Sequence, residues 1–136
     1  MSSNRYLLDT NILVYILNEK ESLTKKVLNI LSDSANLLYT SSLCVAELSH
    51  LRKTGKVKLA ERSIFKLLEE NGIEIMYINK NDLKSYEKLD TSSDKNKDPI
   101  DHQIVAHAIS SKIPLISSDR LLNYYTKQGL NLLENF

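Results

Sequence analysis

Apolar and polar positions alternate between two periods along this chain of 136 residues. Tyr6-Leu7-Leu8 is a short apolar run that stops at Asp9, and Ile12, Val14, Tyr15, Ile16 and Leu17 then predict a mostly buried helix over 11–17. A strand therefore enters a helix through Asp9-Thr10-Asn11. Residues 23–31 carry a helical period, with Val27, Leu28, Ile30 and Leu31 set against Lys25, Lys26 and Asn29. Residues 36–40 read as a second strand, Ser41 and Ser42 supply N-cap chemistry, and 43–51 read as a helix enclosing one acid, Glu47. Gly55, inside the run from Arg52 to Lys56, marks a helix end and turn. A helical period resumes over 60–70 and stops at Asn71-Gly72; 73–78 alternates as a strand does, and 83–89 predicts a further helix. Residues 90–98 are wholly polar and predict a mobile loop. Asp98 and Pro99 then open a helix running to about Ser111, and strands at 114–117 and 131–134 flank a helix at 121–127.

Short strands separated by helical stretches predict βαβ units, hence an α/β fold with a mostly parallel sheet of about five strands and helices on both faces. No internal repeat and no composition shift divides the chain, so residues 1–136 are expected to form one domain. Composition narrows the partners. Eighteen basic residues against 17 acids leave a formal charge of +1, so no global field draws in polyanions or membranes. The single cysteine, Cys44, has no internal disulfide partner, and no Cys/His spacing suits structural zinc. The first residues, Met1-Ser2-Ser3-Asn4-Arg5, lack the apolar core of a secretory signal, and no apolar run approaches the roughly 20 residues of a membrane span. A soluble cytoplasmic protein is the expectation.

Most of the acids sit among Lys, Asn and Ser on faces that water would solvate. Asp9 and Asp119 do not: each follows the carboxyl end of a strand, where ligands of open α/β sheets gather. Glu47 has Leu43 and Leu51 four residues to either side, and Asp101 shares a helix face with Ile104, Val105 and Ala108. A carboxylate on such a face costs several kcal/mol to desolvate unless a cation or hydrogen-bond donors compensate it. Each position has a plainer reading as well. Asp9, Asp98 and Asp119 suit N-caps, Asp101 suits a capping box, and Glu47 suits pairing with His50 or Arg52. Several half-buried acids at one sheet edge would nonetheless repel one another, and a divalent cation relieves that repulsion. Oxygen ligands without a Cys or His cluster select Mg²⁺ or Mn²⁺, whose chemistry here is phosphodiester hydrolysis or phosphoryl transfer.

Leu7-Leu8-Asp9-Thr10-Asn11, Ser41 with Glu47 six residues on, Asp98-Pro99-Ile100-Asp101 before Ile104-Val105-Ala106, and Ile116-Ser117-Ser118-Asp119 resemble the ordered motifs of PIN-domain ribonucleases, in particular VapC-type toxins of type II toxin–antitoxin modules. The resemblance covers essentially the whole chain. It implies a three-layer α/β/α sandwich and Mg²⁺- or Mn²⁺-dependent endoribonuclease activity, with Asp9, Glu47, Asp101 and Asp119 as the catalytic acids. Asp9 and Asp101 would be the main metal ligands, Asp119 a direct or water-mediated one, and Glu47 a ligand or water-orienting base. Thr10, Asn11, Ser41, Asp98 and Ser118 match polar residues lining the site. Homodimerisation and inhibition by a cognate VapB-like antitoxin are also implied, with Leu59, Ile64, Phe65 and Leu68 available either to an antitoxin groove or to the core. Many relatives carry Arg where this chain has His102, which is expected at the surface or behind the ligands and not on the metal.

Between Arg52 and Lys66 six basic residues accompany one acid, Glu61. Arg52, Lys53 and Lys56, with His102, are therefore candidate contacts to RNA or to a partner, against the alternative of a solvated helix face. Competing readings are a PIN-like RNA-processing nuclease without an antitoxin, and a non-catalytic acid-pocket module. A receiver-type phospho-acceptor would need an acidic pair and a strand-end lysine that Asp9-Thr10-Asn11 and Ser117-Ser118-Asp119 do not offer.

Overall fold

A computed structural model describes residues 4–136; Met1, Ser2 and Ser3, which carry part of the signal-peptide reading, lie outside the described residues. Five strands form one parallel sheet in the order β3-β2-β1-β4-β5, comprising β1 (Arg5–Leu8), β2 (Leu37–Ser41), β3 (Ile73–Met76), β4 (Leu115–Ser117) and β5 (Leu132–Glu134). Leu7 and Leu8 of the central strand point to opposite faces and both are fully buried, as a sheet covered on both sides requires. The helices are α1 (Thr10–Asn18), α2 (Lys25–Ser32), α3 (Ser42–Lys53), α4 (Ile64–Glu70), α5 (Lys80–Lys88) and α6 (Pro99–Ser111). Short 3₁₀ segments at Lys20–Ser22 and Arg120–Gln128 complete the set. The strand order reverses at β1, between β2 on one side and β4 on the other, and such a switch point opens a crevice at the strand carboxyl ends. Among the described residues no helix is long and apolar enough to cross a membrane.

Capping chemistry sets the helix boundaries. Thr24 caps α2 by accepting from Val27 N, and Asn79 with Asp82 forms a reciprocal capping box that starts α5 three residues before its first apolar position. The helix expected from residue 60 begins only at Ile64, because Ser63 caps it and the Arg62 carbonyl is taken by the Arg52 guanidinium. Gly72, at φ +69°, makes the left-handed turn into β3. The segment 121–127 is wound as a 3₁₀ helix over Arg120–Gln128.

Residues 90–98 form a loop, as expected, but one tied to the protein interior at a buried residue. Asp94 is only 5% exposed and accepts hydrogen bonds from the Tyr125 hydroxyl and the Asn96 backbone, with His102 Nε2 3.0 Å away. At its start, Gln128 accepts from Asp90 N and donates to Asp90 O, both at 2.9 Å. A wholly polar composition therefore conceals a segment anchored at one buried charge. A second buried polar joint links β2 to α5 and α6: His107 Nδ1 lies 2.8 Å from Ser41 Oγ, and its Nε2 lies 3.6 Å from Asp82 Oδ2.

Candidate active site

Asp9 ends β1 and caps α1, its Oδ1 accepting from Thr10 N at 2.8 Å. Its Oδ2 accepts from Ser117 Oγ at 2.7 Å, so the last residue of β4 holds the acid that follows β1. Asn11 tightens the same junction, since its Oδ1 accepts from Ser118 N at 3.1 Å and its Nδ2 donates to Asp9 Oδ2 at 3.4 Å. Ser117 Oγ also accepts from Asp119 N at 3.0 Å, and Asp119 then caps the 3₁₀ helix through Leu121 N. The N-cap readings of Asp9, Asp98 and Asp119 hold, and capping does not keep Asp9 and Asp119 from also lining the cleft, whereas Asp98 lies off its wall.

Asp9, Thr10, Asn11, Glu47, Asp101 and Asp119 line one cleft of about 360 Å³ at the carboxyl edge of the sheet, with Val14, Tyr15 and Leu51 as its apolar walls. Glu47 reaches it from the middle of α3, where Cys44, Val45 and Leu48 pack inward. Neither His50 nor Arg52 forms an ion pair with it among the described residues, and the Arg52 guanidinium is bonded to the Arg62 carbonyl instead. Glu47, Asp98 and Asp101 each offer a carboxylate oxygen, and the three lie within 4.8 Å of one another. That triplet differs from the grouping of Asp9, Asp101 and Asp119 expected as ligands. Asp98 and Asp101 share the first turn of α6 and face Glu47 directly, whereas Asp9 and Asp119 come from the strand ends.

Crowding shows in the protonation behaviour. Burial pushes Asp9 up from 3.8 to about 6, against the bonds from Ser117 and Thr10, and the charges of Asp101 and Glu47 add to the rise. Glu47 is raised by burial and by the carboxylates of Asp101 and Asp98. Asp101 is raised by burial and by Asp98 and Asp119, with the Asn96 hydrogen bond working the other way. Thr10 Oγ1 is buried beside these acids with no hydrogen-bond partner among the described residues. Oxygen-only donors, raised carboxyl groups and an orphaned hydroxyl together fit a hard divalent cation.

Three expected positions are placed elsewhere. Ser41 is fully buried, accepting from Leu43 N and bonded to His107, and it is not on the cleft wall. Ser118 is likewise off the wall, its Oγ accepting from Asn135 Nδ2 at 2.7 Å; Ser117, one residue earlier, makes the contact to Asp9. His102 is 5% exposed, with Nε2 3.0 Å from Asp94 Oδ2 and 2.8 Å from the Asn96 carbonyl, so its ring is not presented to RNA or to a partner. Lys53 and Lys56 are exposed at the end of α3. Ile64 and Leu68 belong to the core, while Phe65 is 58% exposed. Ser117, Asp94 and Asn96 escaped the sequence reading. Ser117 acts through the pairing of β4 with β1, which no local sequence signal reveals.

Residues 6–127 match the PIN domain family. No curated protein sequence matches the chain significantly. Among solved structures, VapBC2 of Rickettsia felis, bound to a DNA fragment from its promoter, is similar with a TM-score of 0.71 at 25% identity, covering 96% of this chain and 98% of that one. VapBC-1 of nontypeable Haemophilus influenzae gives 0.67 at 25% identity, covering 96% and 97%. DNA-bound VapBC of Salmonella typhimurium gives 0.70 over 98% and 99%, and at 15% identity that likeness speaks for the fold alone. A parallel five-stranded sheet between helical layers, an acidic cleft at its switch point and a family match over nearly the whole chain have one reading: this chain belongs to the PIN-domain family of nucleases.

Proposed function

We propose that this protein is a divalent-metal-dependent endoribonuclease acting as the VapC-type toxin of a cytoplasmic toxin–antitoxin pair. The observation that carries the reading is the meeting of Asp9, Glu47, Asp101 and Asp119 on one cleft. Mg²⁺ or Mn²⁺ would be held by Asp9, Asp101 and Asp119, with Glu47 and Asp98 close enough to Asp101 to share in its coordination. A cation there supplies water activation and charge neutralisation at the scissile phosphate. The chain's own residues do the remainder. Glu47, with its raised proton affinity, orients the attacking water and takes up its proton. Ser117 and Asn11 keep Asp9 aimed from the β1 edge. Val14, Tyr15 and Leu51 exclude bulk water from one side of the cleft, which strengthens the interactions within it.

Lys53 at the end of the helix that carries Glu47 and Lys56 in the turn after it would hold the RNA backbone while the acids address one phosphodiester. The VapBC complexes of similar fold support a VapB-like antitoxin as partner, and the family resemblance implies a homodimer. The test is cleavage of a mixed tRNA, rRNA and mRNA panel by antitoxin-free protein, with Mg²⁺ or Mn²⁺ against EDTA. Metal-dependent cutting that disappears in Asp9→Asn and Asp101→Asn is the expected result. A folded wild-type protein that cuts none of the panel and binds no Mn²⁺ would point to a non-catalytic module.

A further inference from the structure

Asp94 takes no part in the chemistry above, yet three donors converge on its buried carboxylate. Its Oδ2 accepts from the Tyr125 hydroxyl and lies 3.0 Å from His102 Nε2, and its Oδ1 accepts from Asn96 N at 2.9 Å. The 3₁₀ helix, the first turn of α6 and the loop thus each send a donor to one carboxylate. His102 Nε2 also faces the Asn96 carbonyl at 2.8 Å. Both of its neighbours are acceptors, so the proton resides on Nε2 and the ring donates in either charge state.

Asn96 is thereby gripped at its backbone from both sides, and its own side chain is divided between two tasks. Oδ1 accepts from Asp98 N at 2.9 Å, and Nδ2 donates to Asp101 Oδ2 at 2.7 Å. That is the one side-chain donor to Asp101 among the described residues. A neutral amide is well suited to the place. It fixes the carboxylate plane and leaves Oδ1 of Asp101 unengaged, without adding a charge that would repel or replace a cation.

We propose that Asn96 is a positioning residue that aims Asp101 at the metal, and that Asp94, anchored by Tyr125 and His102, is the post that holds Asn96 in register. The inference rests on the metal reading above and deepens it. Partners that orient a metal ligand are typically worth about 10–100-fold in affinity. Here the cost arises because an unrestrained Asp101 must lose its rotamer freedom at the moment of binding.

The experiment is Mn²⁺ titration of the purified full-length chain, by calorimetry or by the electron paramagnetic resonance of free Mn²⁺, below the melting temperature of every variant. Asn96→Ala removes the amide, and Tyr125→Phe removes a single hydroxyl from Asp94 while keeping the ring. Asp101→Asn serves as the ligand control. The expected result is Mn²⁺ affinity weakened about 10-fold or more by Asn96→Ala, and several-fold by Tyr125→Phe although that residue is nowhere on the cleft wall. Variants that melt earlier but bind Mn²⁺ as the wild type does, while Asp101→Asn loses binding, overturn the positioning role and leave the metal reading standing. A wild-type protein that takes up no Mn²⁺ overturns both.

Discussion

Asp94 and Asp9 expose a similarly small fraction of their surface, 5% and 7%, but Asp9 lies deeper among protein atoms, and their carboxyl groups are driven in opposite directions. Burial penalises the charge of each. At Asp94 the Tyr125 hydroxyl, the Asn96 amide and His102 outweigh that penalty and hold the group below the ordinary carboxylate range. At Asp9 the deeper burial outweighs the bonds from Ser117 and Thr10, and the neighbouring charges of Asp101 and Glu47 add to the rise. The comparison separates a structural carboxylate from a working one. Asp94 has donors that stabilise its charge and lies off the cleft. The cleft acids have an unmet demand for positive charge, expressed as raised proton affinity and available to a cation.

Opposite responses to charge removal would sharpen that contrast most. Asp101→Asn should lower metal-dependent cleavage by about 100-fold or more, the scale associated with losing one transition-state stabiliser. The same change should leave the metal-free protein as stable as the wild type or more so, because it relieves repulsion by Asp98 and Asp119; thermal melting in EDTA reads this directly. Asp94→Ala should do the reverse, destabilising the fold by about 3 kcal/mol through stranded Tyr125 and His102 groups, as measured by urea unfolding. A stable Asp94→Ala protein would break the distinction.

Next in size is the pH dependence. Asp9 has a higher proton affinity folded, at about 6, than its ordinary value of 3.8, so between those pH values the native state holds more protons than the unfolded one. Its contribution to metal-free stability is therefore full below pH of about 4 and is lost as pH rises through about 6, a change of about 3 kcal/mol. Asp9→Asn should flatten that slope in a melting series, and saturating Mn²⁺ should oppose it at neutral pH. Asp94, with its proton affinity lowered, acts at the other end: its contribution is present above its ordinary range and is lost on further acidification. The smallest expected effect is at the basic end of α3. Charge reversal at both Lys53 and Lys56 should weaken RNA binding and reduce the slope of log affinity against log salt by about 0.7 per lost phosphate contact, with the cleavage step itself unchanged.

The alternation of strands and helices, the position of Asp9 and Asp119 after their strands, and the inward pattern around Glu47 and Asp101 could all be read along the chain, because each depends on spacing within one element. Periodicity tells which face is buried, and an acid on a buried face is conspicuous. Ser117, Asn96 and Asp94 could not be found that way. Ser117 matters because β4 lies beside β1 and its hydroxyl reaches Asp9 across 108 positions of sequence. His107 joins Ser41 and Asp82 for the same reason, and so Ser41, whose motif position suggested the cleft, is drawn into the interior. The loop of residues 90–98 is the plainest case. Nothing in a wholly polar string distinguishes a solvated acid from one that will receive donors from Tyr125 and His102. Local pattern records where a side chain must be buried, whereas hydrogen-bond partners for a buried charge are chosen by packing between elements, and that choice exists only once the sheet and its helices have closed.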